Sequence, residues 1–238
     1  MRTQEKALVC RGLLLLAVLA LSWSGSATAD TAGAVNSPLD ALASTAAVVE
    51  GRVTAIAASY DPAAGPRTTA TLSDVRTHFG RYDGRTLDVA MLGGRITDEK
   101  WLYIPELPWL TEDTRYLAFL TNAEWFYSPI VEEYVFQLET GPRGTDVLIA
   151  PSGHAVLGLS AEGLEFTPDP VVDTQLDFLR PYAKPRLVGD PTGLAEAMSK
   201  EDFLAAVADL SRTVPLQGEF RTSPAAGRVW DQLSVDEE

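Results

Sequence analysis

His78 and His154 are the only imidazoles in the chain. Neither lies in an H-E-x-x-H pattern or beside a second histidine, so a zinc site is not expected. Ser152 and His154 flank Gly153. A serine nucleophile needs a base at hydrogen-bond distance and an acid orienting that base, which neighbouring turn residues do not supply. Carboxylates are plentiful, at Asp98-Glu99, Glu112-Asp113, Glu132-Glu133 and the trio Asp169, Asp173 and Asp177. A glycoside hydrolase requires two facing carboxyl groups at a defined separation, which sequence neighbours do not report. The trio would share one face if helical. No run matches the D-x-[DN]-x-[DN]-G calcium loop, and Gly93-Gly94 lacks a following phosphate-loop pattern. Solvated surface charge is the ordinary state of all these groups. No catalytic, cofactor-binding or metal-binding residue is therefore assigned, and no cofactor is expected.

The aromatic residues are more distinctive. Trp101, Tyr103, Trp109, Tyr116, Phe119, Trp125, Phe126, Tyr127, Tyr134 and Phe136 crowd one stretch. Core packing accounts for most of them, since each ring buries a large area. Trp125, Phe126 and Tyr127 differ, because consecutive residues of a strand point to opposite faces. Either the outer face lies under the C-terminal segment, or these three form an exposed contact surface for a protein or small ligand. They are the candidate partner-binding residues.

The ends of the chain bear on its compartment. Arg2, Lys6 and Arg11 precede an unbroken apolar run from Leu13 to Leu21, and Ala27-Thr28-Ala29 supplies a small-x-small site. These are the parts of a secretory leader, with cleavage expected after Ala29. The run falls short of the roughly 20 apolar residues of a membrane span. Cys10, the single cysteine, precedes the run and leaves with it. The mature chain then has no thiol and no disulfide. The leader carries three basic residues and one acidic, so its removal takes the formal net charge from −14 to −16. Such a charge repels phosphate backbones and anionic headgroups, which disfavours nucleic-acid and membrane binding.

Short elements must position whatever site exists. Ser37-Pro38 reads as N-cap and first residue of a helix reaching about Ala46. Val49, Val53 and Ala55 then alternate with Glu50, Arg52 and Thr54, the pattern of a half-buried strand. DPAAGP (61–66) reads as a turn. In RTTATLSDVRTHF (67–79) the apolar phase moves from Ala70 and Leu72 to Val75 and Phe79, which predicts a β-bulge near Ser73-Asp74. TLDVAML (86–92) puts Leu87, Val89 and Met91 on one face. KWLYIPELPWL (100–110) holds Pro105 and Pro108, which suits an edge strand or extended cover. TRYLAFL (114–120) is apolar throughout and predicts a central strand. VEEYVFQL (131–138), DVLIA (146–150) and HAVLGLS (154–160) follow, and this spacing argues for a closed antiparallel barrel or sandwich. Five prolines between Pro168 and Pro191 suggest an extended cover. Ser199-Lys200-Glu201-Asp202 opens a helix in which Phe203, Leu204, Val207 and Leu210 recur at helical spacing.

Three motifs carry a family likeness: Val49-Glu50-Gly51-Arg52-Val53, Met91-Leu92-Gly93-Gly94, and Pro108 to Leu120, where Thr111 to Thr114 departs from the usual Gly-Glu turn. Over about residues 47–160 the chain resembles a group of uncharacterised exported bacterial proteins. That group is similar to the OB-like barrel of netrin-type and metalloproteinase-inhibitor modules. The resemblance implies a mainly β fold, an OB-like antiparallel barrel with a short N-terminal helix and a C-terminal helix packed on it. It does not imply inhibitor activity, which in that family rests on an N-terminal cysteine. The expected organisation is a leader (1–29), a barrel domain with its N-terminal helix (30–166), a proline-rich cover and C-terminal helix (167–216), and a tail (217–238). The expected function is an exported, non-enzymatic binding or interaction module. The alternative is a secreted hydrolase whose carboxylate pair is far apart in sequence.

Overall fold

The computed structural model describes residues 37–61, 65–95, 101–102, 110–122, 128–173, 186–188 and 192–221. The expected leader (1–29), Trp125, Phe126, Tyr127 and most of the proline-rich stretch lie outside them. Among the described residues no helix is long and apolar enough to cross a membrane.

Helix α1 (Pro38–Ser44) begins as its sequence dictates. Ser37 is the N-cap, its hydroxyl accepting from the Asp40 N–H at 3.2 Å, and Pro38 occupies the first turn, where a missing N–H costs nothing. The chain then enters β1 (Ala47–Asp61), β2 (Gly65–Gly80) and β3 (Leu87–Leu92), an antiparallel meander. A second meander comprises β6 (Arg115–Leu120), β7 (Ile130–Thr140) and β8 (Asp146–Ile149). Antiparallel pairing of β1 with β6, from Ala47 opposite Leu120 to Arg52 opposite Arg115, joins the two meanders. The result is one six-stranded sheet ordered β3-β2-β1-β6-β7-β8. TRYLAFL is central, as its two apolar faces require.

The expected barrel closure is absent: among the described residues no ladder joins β3 to β8. The edge that closure would use on β8 is already engaged. Val147 bridges Ser199 and Ile149 bridges Ala155, so the start of the C-terminal helix and the approach to β9 (Val156–Leu159) lie along it. Short pairs complete the architecture: β4 (Gly94–Arg95) with β5 (Trp101–Leu102), β9 with β10 (Leu164–Phe166), and β11 (Val172–Asp173) with β12 (Arg186–Leu187). Asp173 thus lies in a strand, so Asp169 and Asp173 do not share a helical face; Asp177 lies outside the described residues.

The sheet buries both sides, and strand alternation decides which residue goes where. On one side Val49, Val53, Ala70, Leu72, Leu87, Val89, Met91, Tyr116, Ala118 and Leu120 form a core. On the other, Val48, Leu117, Phe119, Phe136, Leu138 and Leu148 meet α1 and α3 (Lys200–Ser211). The first half of β1 is therefore covered on both faces, not half-buried, and Ala55 is exposed. A third cluster packs the opposite face of β8 against Val171, Val172 and Leu194 of α2 (Thr192–Glu196).

Inserted residues adjust this alternation. β2 carries one extra residue opposite Gly51, between Ser73 and Arg76, and Asp74 there has φ 53°. This is the bulge the sequence phase predicted. A β-carbon on Gly51 would come within 3.2 Å of Leu72 and 3.3 Å of the Ser73 carbonyl, which explains a glycine in mid-strand. A second insertion, at His78, was not foreseen. It reverses the phase again, so Phe79 packs with the helix-side core while Val75 packs with the other.

Helix α3 starts at Ser199, whose hydroxyl accepts from the Asp202 N–H at 3.1 Å and donates to the Asp202 carboxylate at 2.7 Å. Phe203 and Val207 are fully buried, and Leu204 and Leu210 half-buried. Phe203 meets Phe136 and Phe119 edge-on, with centroids 5.2 and 6.3 Å apart. The start of the tail is docked, contrary to its polar composition. Gln217 N–H donates to Thr45 O, Phe220 N–H to Arg81 O, and the Phe220 ring stands edge-on to Tyr82.

Candidate functional site

Five charged or titratable side chains from five elements converge at one end of the helix-side core. Alternation aims three of them there. Glu50 follows Val48 on β1, Arg115 precedes Leu117 and Phe119 on β6, and Asp146 precedes Leu148 on β8. The bulge in β2 delivers His78, and the first residue of α3 delivers Lys200.

Lys200 Nζ donates to Glu50 Oε2 at 3.1 Å and to Asp146 Oδ2 at 3.0 Å. His78 Nε2 lies 3.1 Å from the same Glu50 Oε2. Arg115 Nη2 donates to Asp146 Oδ2 and sits 3.6 Å from Glu50 Oε1. Side-chain exposures run from 11% for Lys200 to 32% for Arg115. Arg115 Nε is buried with no hydrogen-bond partner, alone in this among the described residues.

Proximity sets the ionisation. The hydrogen bond from His78 contributes most to Glu50; burial opposes it, but the bonds and charges of Lys200 and Arg115 bring its carboxyl down to about 2. Burial pushes Asp146 upward, yet Lys200 and Arg115 together outweigh it and hold that carboxyl below its ordinary value. Burial alone would depress Lys200; hydrogen bonds to Asp146 and Glu50 reverse this and raise it.

These directions limit the chemistry. A carboxylate pair that hydrolyses glycosides keeps one member protonated near neutral pH, whereas Glu50 and Asp146 are both stabilised as anions. A nucleophilic lysine needs a depressed pKa, and this one is raised. A cation bound at Glu50, His78 and Asp146 would have to displace an ammonium and a guanidinium from the same oxygens. Among the described residues no group of three His, Cys, Asp or Glu side chains is arranged to hold a metal ion.

The same shifts determine how stability responds to pH. Glu50 and Asp146 have folded values below their unfolded ones. The contribution of Glu50 is present above about pH 4.5 and is lost as pH falls toward about 2; that of Asp146 is present above about 3.8 and is lost as pH falls below that. Lys200 has a raised value, so its contribution is complete below 10.5 and is lost as pH rises above that. Thermal melts across pH should therefore fall at both ends, as Glu50 and Asp146 take up protons in acid and as Lys200 loses its proton in alkali. A midpoint that stays level from about pH 6 down to about pH 2 would contradict this.

The residues singled out in the sequence lie elsewhere. His154 Nδ1 faces the Thr167 carbonyl at 2.7 Å and braces a turn; Ser152 is exposed. Glu112 Oε1 accepts the Ile56 N–H at 3.0 Å. Asp113 and Glu133 adopt positive φ of 59° and 62° on exposed turns and bulges. Trp125, Phe126 and Tyr127 lie outside the described residues, although the stem of their loop is defined. Thr121 N–H donates to Pro129 O at 2.9 Å, and Ile130 N–H to Ser128 Oγ at 3.1 Å. Asn122 adds a clamp, donating to Glu219 O and accepting from Arg221 N–H. The charge network itself escaped sequence reasoning. Its one local signal is Lys200 at the first position of a helix, where the helix dipole disfavours a cation and a compensating carboxylate is called for. No family model, curated protein or solved structure matches the chain.

Proposed function

We propose that the chain is an exported, non-enzymatic interaction module built on an OB-like sheet. The observation that carries this reading is the closure of the charge network on itself. Its two carboxylates are spent on Lys200, Arg115 and His78, so this convergence of carboxylates works as a fastener between α3 and the sheet. The hydrolase alternative loses support for the same reason: Glu50 and Asp146 do meet, but without an acid partner.

Strand order supports the OB-like part of the reading. A five-stranded OB barrel opened between its third and fifth strands leaves the order 3-2-1-4-5. With β6 and β7 as fourth and fifth strands, β3-β2-β1-β6-β7 has that order. The long first strand, shared between both halves, fits as well. The leader-like residues 1–29 support export.

In an OB-like module the loops between strands 1 and 2 and between strands 4 and 5 flank the ligand face. The second of these carries Trp125, Phe126 and Tyr127 on a hydrogen-bonded stem, which reduces the ordering cost of binding. Trp125→Ala and Tyr127→Ala are therefore expected to leave the urea midpoint nearly unchanged. If these rings were core, each truncation would cost about 3–5 kcal/mol. A panel of aryl glycosides and esters supplies the second arm. Turnover that disappears in Glu50→Gln, measured where the variant is folded, would reverse the reading in favour of a hydrolase.

A further inference from the structure

His78 and Lys200 converge on a single atom, Glu50 Oε2, each at 3.1 Å. Their nitrogens therefore stand no more than two hydrogen-bond lengths apart. His78 is the inserted residue of β2, between Thr77 opposite Val49 and Phe79 opposite Val48. Around it stand Glu50 of β1, Arg76 of its own strand opposite Glu50 in register, Arg115 of β6, Asp146 of β8, and Lys200 and Glu201 of α3.

With a neutral imidazole the inner charges balance, Lys200 and Arg115 against Glu50 and Asp146. A proton on His78 adds a third cation at the same oxygen that binds Lys200. The ammonium already sits at a helix N-terminus, whose partial positive charge opposes it. Of the two competitors, only Lys200 has a flexible stem and a second acceptor in place, Asp146 at 3.0 Å.

We propose that a proton taken up by His78 on acidification makes it displace Lys200 from Glu50, leaving the ammonium on Asp146 alone and the first turn of α3 less firmly seated on the sheet. The exchange works as an acid-sensitive latch. Both carboxylates stay ionised while it operates, Glu50 being held at about 2. Phe203 and Val207 keep the helix docked, so the change is confined to its N-terminal turn and to the Ser199–Val147 bridge.

Amide hydrogen exchange of residues 199–204, corrected for the intrinsic pH dependence of exchange, tests the latch at about pH 7.5 and about pH 5.5. The expected result is a several-fold loss of protection at the lower pH in the unmodified protein and none in His78→Gln, which keeps a neutral donor. Equal protection at both pH values, or the same loss in His78→Gln, would overturn the proposal. Should His78→Gln fold poorly, the unmodified protein decides by NMR. The Lys200 side-chain resonances should shift with the same midpoint as the His78 ring, and separate midpoints would overturn it.

Discussion

Lys200→Met is expected to destabilise the fold by about 2–4 kcal/mol, somewhat below the cost of breaking a fully buried pair because the network keeps some solvent access. Met preserves the apolar stem and removes only the ammonium. Glu50 and Asp146, now bonded by Lys200 at 3.1 and 3.0 Å, would be left with Arg115 as their shared counter-charge and His78 at Glu50 alone. Two carboxylates near one guanidinium repel each other in a poorly hydrated site. Urea unfolding near neutral pH measures the loss. Adding Asp146→Asn to Lys200→Met should restore part of it, because the second substitution removes the carboxylate that the first one strands. A change below about 0.5 kcal/mol would place Lys200 among exposed ion pairs of little consequence.

Phe203→Ala should cost more, about 3–5 kcal/mol, as truncations of buried aromatics do. Its side chain is fully buried, and its ring faces Phe136 and Phe119 edge-on, a geometry that adds to the value of burial. Phe119 in turn meets Tyr134 and Phe136 edge-on, so the cavity would open inside a packed aromatic cluster that has little freedom to collapse. Leu204, only partly buried one residue later, serves as the control, and Leu204→Ala should cost clearly less. Equal costs at the two positions would mean that α3 docks by a different face.

The features legible in the sequence are those that depend on near neighbours. Ser37-Pro38 and Ser199 to Asp202 announced two helix starts because capping is settled within four residues. The alternation of Leu87, Val89 and Met91, the apolar run in β6 and the phase change at Ser73-Asp74 were readable for the same reason. What escaped depends on long-range pairing. Closure of the sheet was expected from strand number and spacing, but Ser199 and Ala155 engage the edge of β8, and spacing carries no trace of that. The insertion at His78 is silent because Phe79 is apolar on either face. The docking of the tail's start was hidden by its polar composition, because Phe220 meets Tyr82 only once the sheet has formed. The charge network was the least visible of all. Glu50 and Lys200 meet only after the whole sheet has formed, and each on its own reads as an ordinary surface charge.

The central claim is that the convergent carboxylates form an ionised structural fastener and not an acid–base pair. Its most direct test is the titration of the Glu50 side-chain carboxyl, followed by carbon-13 NMR with assignment from Glu50→Gln. The account predicts a midpoint at about 2, well below the ordinary value of 4.5, set by His78, Lys200 and Arg115. A midpoint above the ordinary value would mean that Glu50 holds a proton near neutral pH, as a general acid does, and would contradict the account.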